Sequence, residues 1–152
     1  MAEVAASGRR NIILGVGFAV IAALGLGSFL VISSGPAVPD APVIAVPSGQ
    51  PIYYIDTISN IPGQNGLTYR FRFVAPEIAP GGSMTSEASQ DDLLALCETF
   101  ALPRLPETGP RPNQVVISLS DQETPFGEVA PDVTQFFEAY AVTETGCEWQ
   151  LF

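Results

Sequence analysis

The sequence predicts an α+β fold: one N-terminal transmembrane helix, then a small, mostly antiparallel sheet of about five strands covered by one helix. Three observations carry this. Residues 12–32 form an uncharged apolar run, residues 67–74 alternate apolar and polar, and residues 87–101 repeat their apolar side chains at helical spacing. The first pattern suits a span of lipid, the second a half-buried strand and the third an amphipathic helix. The chain divides accordingly into a cytoplasmic N-terminus at 1–11, the membrane helix at 12–32, a proline-rich spacer at 33–51 and a periplasmic domain at 52–152.

Composition removes much chemistry. The 152 residues carry a net charge of −10, with 16 acidic and 6 basic residues and no histidine, and every base is an arginine. Without lysine or histidine there can be no Ser-His-Asp or Cys-His nucleophile, no Ser-Lys dyad, no Schiff base, no His-ligated zinc and no haem attachment motif. An acidic chain with few bases is also poorly suited to nucleic acid, whose phosphates need clustered positive charge. The Gly-x-Gly steps at 15–17 and 25–27 lack the third glycine and preceding strand of a dinucleotide fingerprint. No cofactor and no metal set is expected.

Between Ile12 and Ile32 the one polar residue is Ser28. A helix of that length covers about 30 Å, the thickness of a bilayer core. The run exceeds the apolar region of a cleaved signal, and no clear cleavage site follows, which favours a retained anchor over a cleaved segment. Arg9 and Arg10 precede it and the next arginine is Arg70. The positive-inside rule therefore keeps the N-terminus cytoplasmic and exports the remainder. The same arginine pair also fits a twin-arginine signal, which delivers the domain to the same side. Gly15, Ala19, Ala23 and Gly27 recur every fourth residue, a stripe against which another membrane helix could pack, although glycine and alanine are also simply common in such spans.

The spacer carries prolines 36, 39, 42, 47 and 51 and is expected to be extended, although Val43–Val46 could lie on the domain as an edge strand. Strands follow at Ile52–Ile58 and Leu67–Val74, joined by a turn whose strongest element is Asn65-Gly66. In the second strand Leu67, Tyr69, Phe71 and Phe73 share one face, and Thr68, Arg70, Arg72 and Val74 the other. The helix from Glu87 to Ala101 is capped by Thr85 or Ser86, with Glu87, Asp91 and Asp92 at the positive end of its dipole. Leu93, Leu96, Cys97, Phe100 and Ala101 form its inward stripe, and Pro103 closes it. A strand at Gln114–Ser120 precedes a hairpin of Thr134–Thr143 and Cys147–Phe152, with Gly146 in the turn; a short helix at 132–140 is the alternative. Phe136 and Phe137 must face opposite ways in such a strand.

Cys97 and Cys147 are the two cysteines. An even count in an exported domain is expected to form a disulfide, with buried free thiols the alternative. No CxxC or neighbouring base points to redox work.

The runs Ala101-Leu102-Pro103-Arg104, Gln114 to Asp121 and Thr134 to Tyr140, closing with Cys147-Glu148-Trp149, resemble a small alphaproteobacterial family of exported domains of unknown function. The resemblance spans about residues 46–152. It implies a periplasm-facing protein of a Gram-negative cell and supplies no activity, catalytic residue or ligand.

Two clusters remain. Arg70 and Arg72, on one face of a strand, could clamp a carboxylate or phosphate, or could be a solvated face paired with acids. Asp121, Glu123 and Glu128 could offer oxygen ligands to Ca²⁺, but without EF-hand spacing. Paired carboxylates could hydrolyse a glycosidic bond, yet so small a domain has little room for a deep cleft. The expected role is non-catalytic: binding or assembling with another envelope protein, or else binding a small anion through Arg70 and Arg72.

Overall fold

Two three-stranded antiparallel units joined by a helical crossover build a single six-stranded sheet in the computed structural model, which describes residues 40–63 and 66–151. The predicted membrane helix at 12–32, with Gly15, Ala19, Ala23 and Gly27, lies outside the described residues. Among those described, no helix is long and apolar enough to cross a membrane.

The strands are β1 (Val43–Ile44), β2 (Ile52–Gly63), β3 (Gly66–Val74), β4 (Gln114–Ser120), β5 (Gln135–Val142) and β6 (Cys147–Gln150), and they lie in the sheet in chain order. Every neighbouring pair is antiparallel except β3 and β4. That pair is parallel because its connection, residues 75–113, carries the chain back along the sheet through a helix, as parallel neighbours require. The sheet thus has six strands rather than five. The sixth is β1, formed where the sequence left an edge strand open. The hairpin alternative at 135–150 is the one observed, with Gly146 at φ 137° in its turn.

Residues 46–50 are fastened to the domain. Gly49 takes a φ of 76° and donates to the Val46 carbonyl at 3.0 Å, turning the chain over the start of the helix. There Asp92, fully buried, accepts from the Ser48 N–H at 2.9 Å, the Ser48 hydroxyl at 2.6 Å and the Gln50 amide at 2.6 Å. An aspartate that sequence places at the solvated end of a helix dipole is instead a latch.

The helical segment opens with a turn in which the Thr85 hydroxyl accepts the Ala88 N–H at 3.2 Å. It continues through α1 (Gln90–Leu96), a widened turn at Cys97–Ala101 and a tight one at Leu102–Arg104. Pro103 explains the change of winding: it has no N–H for the Thr99 carbonyl and its ring would crowd that carbonyl in a regular turn. Leu93, Leu96 and Cys97 press onto Phe71, Phe73, Val115, Ile117 and Leu119, all at most 1% exposed. Phe100 completes this layer, its ring 5.1 Å from Tyr54 and 5.3 Å from Phe73, with the Arg104 guanidinium 3.6 Å above it. Cys97 and Cys147 are joined in a disulfide, so the helix is tied covalently to the far edge of the sheet.

Candidate functional site

The second face of the sheet is built differently. β3 and β4 pair in register, which sets Arg70 beside Val116 and Arg72 beside Ser118; β5 continues the rows with Ala139 and Phe137. Facing water, such a surface would be solvated. Here the 14-residue connection from Asp121 to Thr134 folds back over it. Arg72, Ser118 and Ser120 are each at most 8% exposed as a result.

A β-bulge supplies the partner for one arginine. Between Tyr54 and Asp56 the register of β2 slips by one residue against β3. Strict alternation would put Asp56 on the same face as Tyr54, toward the helix; the extra residue turns it to the other face, directly opposite Arg72. Arg72 Nη1 donates to Asp56 Oδ2 at 3.0 Å, and its Nη2 donates to the Thr124 carbonyl. A second irregularity, between Ile58 and Ile61, is accommodated by Asn60 at φ 58°.

Arg72 is therefore a structural group. It neutralises Asp56 and holds the covering segment by its backbone. Arg70, two residues away, has neither function. The Arg72–Asp56 contact is the one ion pair among the described residues, and the buried Arg70 Nε has no hydrogen-bond partner. Phe126 and Phe137 lie 5.9 and 5.8 Å from its guanidinium carbon, close enough for cation–π attraction but offering no hydrogen bond. Burial, and then the neighbouring charge of Arg72, push the Arg70 pKa down from its ordinary value. Both effects mean that its charge is poorly compensated in the folded chain.

Arg70 and Arg72 line a cavity of about 280 Å³ together with Ser118, Ser120, Phe126 and Glu128. Glu128 comes from the covering segment and stays beyond ion-pair distance of both arginines. The cavity is polar, cationic on the sheet side and roofed by a loop. Such a place can receive an oxyanion through forked hydrogen bonds.

The sequence had brought Arg70 and Arg72 to one face, and the structure keeps them there. It does not keep that face solvated, and it separates the roles of the two side chains. Asp56, Phe126 and Phe137 belong to the site and were not singled out for it: Asp56 depends on the bulge, Phe126 on where the covering segment lies, and Phe137 on the pairing of β5 beside β4. Among the described residues no group of three or more His, Cys, Asp or Glu is placed to hold a metal ion, so Asp121, Glu123 and Glu128 do not gather into a ligand set.

The chain belongs to a family of unknown function, DUF6497, whose model matches residues 30–152. Membership assigns neither an activity nor a compartment. No curated protein and no solved structure matches the chain.

Proposed function

We propose that this chain is a non-catalytic binding domain, carried on the periplasmic side of the inner membrane by its N-terminal helix, whose ligand is a small oxyanion. The observation that carries the ligand is Arg70: a half-buried guanidinium in a roofed cavity, with no ion-pair partner among the described residues and with a second arginine beside it. A desolvated, unpaired charge costs stability, and a chain retains such a group at little benefit unless something else neutralises it. A carboxylate or phosphate seated against Arg70 relieves that cost and gains charge-assisted hydrogen bonds. The disulfide supports the placement, because such bonds persist in oxidising compartments. The apolar run and its flanking arginines support the anchor and its orientation.

Thermal melting of the full chain with inorganic phosphate and with succinate tests the ligand. A melting temperature that rises with either anion, and no longer rises in Arg70→Gln, is the expected result. Equal anion responses in the parent and the variant, or none in either, would overturn it. A reporter fused after Phe152 tests the placement, which requires activity outside the cytoplasm.

A further inference from the structure

On the helix-covered side of the sheet, a cleft of about 400 Å³ shares no residue with the arginine pocket. It opens beside the last two strands: Asp91 and Leu94 form one wall, and Glu138, Tyr140, Cys147 and Trp149 the other. We propose that this cleft binds an extended segment of a partner protein, in which a basic side chain is flanked two residues to either side by apolar ones.

Three features define that partner. The first is exposed apolar area. Trp149 is 58% exposed and Leu94 36%, and tryptophan is among the side chains enriched at interface hot spots. The second is charge. Among the described residues, both ionisable side chains that meet solvent in the cleft, Asp91 and Glu138, are carboxylates, and no base lines it. The Tyr140 hydroxyl donates to Glu138 Oε2 at 2.7 Å, which fixes that carboxylate in the wall. The third is backbone. Among the described residues β6 is the terminal strand of the sheet and pairs with β5 alone. A free edge accepts a further strand through main-chain hydrogen bonds, and alternate side chains of that strand then enter the cleft. An apolar–basic–apolar series at every second position meets Trp149, Leu94 and the two carboxylates. A second copy of this chain does not fit as well: it would bring Asp91, Glu138 and Glu148 against their own kind on a chain of net charge −10.

Trp149 is the sole tryptophan, so its fluorescence reports on this cleft alone. The probe is the peptide Ser-Leu-Ser-Arg-Ser-Leu-Ser, blocked at both ends, with two controls carrying Glu or Ser at the centre. Titrated into the full chain, the arginine peptide is expected to shift Trp149 emission to the blue and shield it from acrylamide. It should bind about tenfold tighter than the serine peptide, a preference that Asp91→Asn with Glu138→Gln removes. Both substituted positions are on the surface of the cleft, and unchanged melting of the double variant verifies its fold. Arg70→Gln should leave the titration unaltered, which separates this site from the anion pocket. The proposal falls if the three peptides bind alike, or if the arginine peptide has no effect. It falls equally if Trp149 is already shielded in the free chain: shielding that vanishes on dilution would identify a second copy as the occupant, and concentration-independent shielding a segment of the chain itself.

Discussion

Phe71 and Phe73 alternate with Arg70 and Arg72 along one strand, and all four side chains are wholly or half buried. What covers them differs. The phenylalanines meet a helix through apolar contacts made by Leu93, Leu96 and Phe100, and that layer is locked to the sheet edge by a disulfide. The arginines meet an irregular segment held by one ion-paired guanidinium reaching a backbone carbonyl. Apolar burial without voids yields stability and little selectivity. A polar cavity under a loop has room for a ligand, and binding residues concentrate on loops positioned by a rigid scaffold. One face of the sheet carries the apolar core, and the other carries the arginine-lined polar cavity.

That contrast predicts unequal responses to substitution. Phe73→Ala removes a fully buried ring from the helix-covered face and is expected to cost about 3–5 kcal/mol in denaturant unfolding. Replacing Cys97 and Cys147 by serine opens a loop with a sequence separation of 50. Its loss is expected to cost about 4 kcal/mol on chain-entropy grounds. Where the double variant stays folded, its anion response should persist, because neither cysteine touches the arginine pocket. A lost response in a folded variant would show that the two faces are coupled.

On the other face, Arg72→Met leaves Asp56 unpaired and releases the Thr124 carbonyl. Asp56 is 42% exposed, so water reclaims part of its charge, and the expected cost is about 1–2 kcal/mol rather than that of a wholly buried pair. Limited proteolysis supplies the sharper measurement: residues 121–134 should become cleavable in Arg72→Met while the helix stays protected. Protection of both would mean that the covering segment is held by something other than Arg72.

The legibility of the two faces differs for the same reason. The helix-covered face was readable because its elements are periodic: the two-residue alternation of β3 and the helical stripe at Leu93, Leu96 and Cys97 each state which side faces inward. The pairing of Cys97 with Cys147 followed from a count of two. The other face follows no period. Asp56 reaches Arg72 through a slipped register, and Asp92 accepts three hydrogen bonds from a segment that its prolines marked as a spacer. Turn-rich stretches such as 121–134 state that the chain bends and not where it comes to rest. The parallel pairing of β3 with β4 was hidden similarly, since it depends on the path of a long crossover.

The smallest effect on stability is expected at Arg70, and it carries the opposite sign to the others. A base whose pKa is lowered by folding holds its proton less tightly in the native state than in the unfolded chain. Protonation therefore opposes folding at every pH below the native pKa, and relief arrives only as pH rises through that value toward the ordinary one. Near neutrality the side chain is charged in both states, so the penalty is present in full and does not vary. Arg70→Met keeps the length and packing against Phe126 and Phe137 while deleting the charge. It is expected to leave stability unchanged or raise it by up to about 1 kcal/mol, with a difference from the parent that is flat from about pH 5 to about pH 9. The same variant should lose its anion response. A gain in stability with a loss of binding is the mark of a group retained for its ligand. A destabilised Arg70→Met would place Arg70 with Arg72 as part of the scaffold, and the contrast between the two faces would then rest on the covering segment alone.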